Sequence, residues 1–233
     1  MDNVEYTALD LYSKVEDLLG VNEVTPKLYE NYHKTLRELE FSSLLDVGCG
    51  RGAFLVQIRE EYPTVESMGI DLSPRMVQVT RDKGVEAYHI DLCVVDKKFD
   101  IITAVFDMLN YLDDKQLEEF MLCVENHLKV GGYFLCDINS FYAFDELAVG
   151  SFIKDAEERF VTIDSDFDDV EYISEFTLFE KGESGFEKSQ ETIIQYYHTV
   201  ERLEELTTLQ LISESDISVY GDEVEKHYLL FRK

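Results

Sequence analysis

The sequence has no tryptophan, only three prolines and four cysteines, and 21 basic residues against 49 acidic ones. Each shortage excludes something. A formal net charge of −28 leaves no basic footprint for nucleic acid or for an anionic membrane surface. The charge favours a cationic small-molecule substrate, or simply a well-solvated surface. No stretch approaches the roughly 20 apolar residues of a membrane span. The opening Met1-Asp2-Asn3-Val4-Glu5 is acidic with no apolar run behind it, so a cytoplasmic location is expected. Cys49, Cys93, Cys123 and Cys136 form no C-x-x-C pair and sit in apolar or loop contexts. That argues against a disulfide frame and against a zinc site, and no metal is expected.

What is present is the composition of a globular chain: 45% hydrophobic residues, with 14 Tyr and 15 Phe. A length of 233 residues suffices for one α/β domain with a small insertion, as a monomer or homodimer. Residues 1–41 read as a helical segment, with Leu28, Tyr32, Leu36 and Leu39 at helical spacing and Thr25-Pro26 as a helix start. Residues 42–150 alternate strands and helices, which implies a mostly parallel sheet covered on both faces. The strands are Leu44–Val47, Ser67–Asp71, Val85–Ile90, Phe99–Phe106 and Tyr133–Ile138, with Val130-Gly131-Gly132 as a turn before the last. Residues 151–198 break the rhythm. Phe160–Ile163, Tyr172–Phe179 and Thr192–Tyr197 read as strands with no helix between them, a small antiparallel lid. Residues 199–233 return to helix over Val200–Ile212, then give strands at Ile217–Tyr220 and His227–Phe231.

Gly48-Cys49-Gly50-Arg51-Gly52 joins the first strand to a helix, where glycines let the chain turn and a ligand approach the backbone. Taken alone it also fits the dinucleotide pattern. Three acids decide between ligands. Asp71, 23 residues past Gly48, can accept from ribose hydroxyls in either case. Asp46, before the glycines, would repel a pyrophosphate but favour the ammonium and sulfonium of S-adenosylmethionine (SAM). Asp91 closes the third strand, at the height of an adenine amine. All three stand at carboxyl ends of adjacent strands, where open α/β sheets bind ligands.

The run Leu45-Asp46-Val47-Gly48-Cys49-Gly50-Arg51-Gly52 resembles the first motif of class I SAM-dependent methyltransferases. Gly69–Met76, Asp91, Phe99–Leu112 and Leu128–Phe134 resemble the later motifs in order. Asp107–Leu112 and Asp137–Tyr142 are similar to bacterial small-molecule methyltransferases with an antiparallel lid, of the amino-sugar N,N-dimethyltransferase and glycine N-methyltransferase kind. The resemblance implies a Rossmann-like sheet of seven strands, mostly parallel with an antiparallel C-terminal strand, plus the lid. It implies SAM as cofactor and in-line methyl transfer to a small molecule, to N in preference to O or C. By the same resemblance Gly48 and Gly50 flank the methionine moiety, with Asp46 near its amino group. Asp71 holds the ribose, Leu72 packs on adenine, and Asp91 with Leu92 reads its edge. Phe106 and Asp107 line the methyl site, and Tyr12 closes over the cofactor. The sequence departs from the family at Ser213-Glu214-Ser215-Asp216, which replaces a short Ala-Gly-Phe turn.

A neutral amine needs no strong base, so no catalytic dyad is required. The candidates beside the acceptor are Asn110, Tyr111, Asn139 and His198, with Tyr142 and Tyr196 as contacts and Tyr29 and Tyr32 as a roof. No Asn/Asp-Pro-Pro-Tyr/Phe element follows the fourth strand, which points away from nucleobase and glutamine acceptors. Two other readings share features with this one. A nicotinamide-dependent oxidoreductase uses the glycine loop and Asp71 but leaves Asp46, Asp91 and Gly131-Gly132 unexplained. A SAM-binding regulatory or scaffold protein without turnover could use the nine acids between Asp155 and Glu175 as a partner strip.

Overall fold

The structure, a computed structural model, describes the backbone of residues 4–183 and 185–233, and side chains there except at 4–7 and 21–23. The start of the expected N-terminal segment, residues 1–3, lies outside the described residues.

A seven-stranded sheet has the order β10-β11-β5-β4-β1-β2-β3. Its centre is β1 (Ser43–Val47), buried at every position, flanked by β4 (Phe99–Ala104) and β2 (Glu66–Ile70) in parallel register. β5 (Leu128–Asn139) runs parallel to β4, and β11 (Lys226–Arg232) antiparallel to β5. This is the mostly parallel sheet with an antiparallel C-terminal strand that the sequence implies. The helices are seated by local chemistry. Phe54, Leu55 and Ile58 bury one stripe of α3 (Ala53–Glu61). Ser73 caps α4 (Pro74–Asp82), accepting from the Met76 N–H, with Pro74 in the first turn. Asp113 and Gln116 form a reciprocal capping box at the start of α5 (Asp114–His127). Two apolar clusters, one holding Phe99, Phe134 and Phe231 and the other Leu44, Phe54 and Ile101, make the core.

The second sheet is an antiparallel meander, β6 (Gly150–Ala156), β7 (Arg159–Phe167), β8 (Glu171–Gly182) and β9 (Gly185–Tyr196). Helix α1 (Val4–Val15) lies on it, with Ala8, Leu11 and Val15 in one cluster with Val161, Phe176 and Ile193. No described helix is long and apolar enough to cross a membrane.

Five local expectations are corrected. The third strand, β3, is only Ala87–Tyr88, because it is an edge with a single partner, β2. β5 begins at Leu128 and carries Gly131-Gly132 within it; a Cβ at Gly132 would lie 2.7 Å from the Asp100 carbonyl. Pro26 lies inside α2 (Val21–Leu36) rather than at its start, and the cap position is Gly20 in a left-handed conformation. The C-terminal helix α6 stops at Glu205, having begun at Val200, and β10 (Gln210–Ile217) takes the rest, including Ser213–Asp216. The break falls at Thr207-Thr208, whose hydroxyls both bond to Glu125. Finally, Cys93 and Cys123 are disulfide-bonded. They are 30 residues apart in sequence, and the packing of the 3-10 turn Leu92–Val94 against α5 brings them together.

Candidate active site

The glycine loop sits at the carboxyl end of β1. Gly48, Gly50 and Gly52 all have positive φ, at 68°, 51° and 71°. The loop is closed on one side: a Cβ at Gly52 would come 2.5 Å from Thr80. At Gly50 a Cβ would meet nothing within 4 Å, so the backbone there is open to a ligand. That open face, with the acid next to it, suits a nucleoside cofactor. The Asp71 carboxylate accepts the Gly50 N–H at 2.8 Å and the Ser73 N–H at 2.8 Å. Burial raises its pKa and those two N–H bonds oppose the rise.

The other expected cofactor residues fall around this point. Asp46 is 2% exposed beneath the loop and accepts from Thr103 at 2.7 Å. Burial pushes its pKa up to about 7. Leu72 is 40% exposed, next to Asp71. Asp91 is exposed and accepts from the Cys93 N–H at 2.7 Å, while Leu92 is buried. Helix α1 braces the loop. Arg51 bonds to the Ser13 carbonyl and to Glu16, and Ser73 Oγ bonds to Asp10. Tyr12 lies on the other side of α1, edge-on to Phe176 of β8 at 6.0 Å, away from the glycine loop partners.

Past β4 the backbone is strained. Phe106 and Asp107 are consecutive non-glycine residues with φ of 68° and 49°. Both N–H groups donate to one carboxylate, Asp137 of β5, at 2.8 and 2.9 Å. Tyr32 of α2 donates to the same carboxylate at 2.6 Å. Lys226, at the start of β11, completes the cluster: its Nζ stands 2.6 Å from Asp107, 2.7 Å from Asn139 and 3.2 Å from Asp137. Burial works against the Lys226 ammonium, but the two carboxylates outweigh it and its pKa rises.

This cluster is one end of a cavity of about 490 Å³ between the sheet's strand tips, α1, α2 and the lid. Of the sequence candidates, Tyr12, Phe106, Asp107, Tyr111 and Asn139 line it. Asn110 and His198 do not. Asn110 is wholly buried, donating to the Tyr196 carbonyl at 2.8 Å and accepting from the Asn139 N–H at 2.9 Å, so it ties β9 to β5. His198 is paired with the Leu112 carbonyl, and burial lowers its pKa. Tyr142 is outside the lining, as are Tyr29 and Tyr32, which pack with Phe54 in the core. Sequence reasoning missed Lys226, Asp137 and Gln195. The signal was there for two of them: Phe134-Leu135-Cys136-Asp137-Ile138 puts an acid inside a buried strand, and Lys226-His227-Tyr228-Leu229-Leu230-Phe231 puts a base at the head of another. Neither can be buried alone.

Residues 44–132 match a family model described as a methyltransferase domain. The chain is 26% identical over 180 residues to a protein of Geobacillus sp. (strain WCH70) named as a methyltransferase, a match that spans 71% of each. Among solved structures it resembles an S-adenosylmethionine-dependent methyltransferase from Clostridium acetobutylicum ATCC 824, with a TM-score of 0.80, 24% identity, and 96% and 97% of the two chains covered. It also resembles the sugar N-methyltransferase KedS8 from Streptoalloteichus sp ATCC 53650, with a TM-score of 0.74, 20% identity, and 97% and 93% covered. At these identities the solved structures speak for the fold. The domain match falls on the glycine loop, Asp71 and the strand tips that frame the cavity, and marks residues 44–132 as similar to a methyltransferase domain.

Proposed function

We propose that the enzyme methylates a nitrogen of a small-molecule acceptor held in the cavity beneath the lid. The observation that carries this is the Asp107 carboxylate on the cavity wall, 11% exposed and fixed by Lys226 and Gln195. A carboxylate there orients an amine and accepts its proton. SAM, when bound, supplies a methyl group activated by its sulfonium. On this reading Gly48 and Gly50 take the methionine part, with Asp46 behind them, and Asp71 takes the ribose. Leu72, Asp91 and Leu92 take the adenine, and Phe106 stands between cofactor and acceptor. Asn139 and Tyr111 position the acceptor, and the lid over 151–198 excludes water. The sugar N-methyltransferase among the structural neighbours supports nitrogen as the accepting atom.

The same reading has a soluble cytoplasmic enzyme acting without a nucleic-acid or membrane partner. The Cys93–Cys123 bond pulls against a reducing compartment, and is tested below. The function is tested by incubating the enzyme with methyl-labelled SAM and a fractionated metabolite extract. Label is expected in amine-bearing fractions. Tight SAM binding with no transfer to any fraction would favour the non-catalytic scaffold instead.

A further inference from the structure

The cavity restricts what the acceptor can be. Lys226 is the one cation among the described residues that line it, and Asp107 the one carboxylate. Lys226 is already shared by Asp107, Asn139 and Asp137. Asp137 is wholly buried, and its oxygens are taken by Tyr32, by two backbone N–H groups and by Lys226. Two carboxylates facing one ammonium leave one formal negative charge, and only Asp107 presents it to the cavity. Among the described residues each Asp107 oxygen accepts one hydrogen bond, from Lys226 at 2.6 Å and from Gln195 at 2.8 Å. A carboxylate has about four acceptor sites, so it retains capacity for a further donor.

Away from that corner the wall is mainly apolar, with the rings of Tyr12, Tyr111 and Tyr220 among it. Val24 and Leu28 of α2 line the chamber together with Phe144, Phe176 and Ile193. The hydroxyls of the lid wall are engaged: Ser165 and Ser174 with Tyr172, and Tyr172 with the Ala148 carbonyl. A phosphate or carboxylate would find no free cation among the described lining residues, and a polyhydroxylated body would exchange water for the few tyrosine hydroxyls and corner amides that the lining offers. A volume of about 490 Å³ suits a compact small molecule.

We infer that the acceptor is an amphipathic amine: a protonatable nitrogen at the Asp107–Gln195 corner, an apolar body under the lid, and no anionic group. This rests on the cavity being the acceptor site. The test uses 4-phenylbutylamine, 4-phenylbutanol and 4-phenylbutyrate, which share one body, with glucosamine as a polar amine. Binding to the whole enzyme is measured by calorimetry with and without S-adenosylhomocysteine.

The amine is expected to bind about ten- to a hundredfold tighter than the alcohol, with the carboxylate and glucosamine weakest. Asp107→Asn should collapse the gap between amine and alcohol while leaving the alcohol's affinity in place. Phe144→Ala should weaken the amine and the alcohol alike. The wild-type ranking decides even where Asp107→Asn folds poorly. Phenylbutyrate or glucosamine matching the amine overturns the inference. If the ranking holds but S-adenosylhomocysteine does not bind, the methyl-transfer reading fails and the ligand class stands. If S-adenosylhomocysteine binds and the ranking reverses, the ligand class fails alone.

Discussion

Lys226 Nζ and Asp107 Oδ1 lie 2.6 Å apart with both side chains nearly out of solvent, so neither can be removed without stranding the other. Lys226→Met leaves Asp107 and Asp137 facing each other without a counter-charge. A loss of about 3–5 kcal/mol in urea unfolding is expected. Lys226→Met with Asp107→Asn should recover part of it, and equal losses in the single and double variants would show that the pair is not coupled.

Asp71→Ala removes the acceptor at the open side of the glycine loop. SAM affinity should fall by about 1–3 kcal/mol through lost charge-assisted hydrogen bonds. The freed Gly50 N–H makes a small stability loss the second readout. An unchanged calorimetric Kd would remove Asp71 from the ribose site.

The Asp46 carboxyl, ordinarily near 3.8, is lifted to about 7, by burial first, with Thr103 opposing and Asp71 adding. Between those values the folded chain keeps a proton that the unfolded chain has released. Its contribution is therefore fully present below about pH 4 and lost as pH rises through 7. Asp46→Asn cannot ionise. Its stability relative to wild type should grow between pH 4 and pH 8, by on the order of 4 kcal/mol at most. Parallel pH–stability curves for the two proteins would contradict this. Saturating SAM should narrow the gap, since a cofactor ammonium favours the ionised form.

Asn110→Ala removes two hydrogen bonds of a wholly buried side chain at once, one to the Asn139 N–H and one to the Tyr196 carbonyl. A loss of about 2–4 kcal/mol follows, with faster hydrogen exchange in β9 than in β1. If Asn110 were an acceptor contact instead, stability would hold and only turnover would fall.

The Cys93–Cys123 bond closes a loop across 30 residues. Reduction, or Cys93→Ser, should cost about 2–4 kcal/mol. Thiol labelling of the unfolded, unreduced chain should find two free cysteines, Cys49 and Cys136. Four would mean that the pair stays reduced in the purified protein.

How much the sequence disclosed depended on whether the signal was local. The glycine loop and the Ser73 cap are local: each turns or bonds among neighbours a few residues away, so spacing identifies it. The lid was legible where inner positions alternate, as at Val161 and Ile163, but β6 is exposed along nearly its whole length and carries no such pattern. Thr207-Thr208 ends α6 by bonding Glu125 on another helix, which no window of sequence contains. The Lys226 cluster draws on four separate elements, and only the register of β11 against β5 places Lys226 opposite Asn139. Asn110, read as an acceptor contact, looked the same in sequence as a structural amide because its two partners lie in β5 and β9.

Helix α1 and the turn after it touch both the glycine loop and the lid: Ser13 and Glu16 hold the loop through Arg51, while Leu11 and Val15 share a cluster with Val161 and Ile193 of the lid. The segment is therefore not free to drift on its own. Among descendants of this chain, a larger side chain at Leu11 or Val15 calls for a smaller one on the facing strands, and a lost base at Arg51 relaxes the acid at Glu16. Substitutions in the first twenty residues should be inherited together with substitutions in the lid more often than with those on the nearer face of the core sheet.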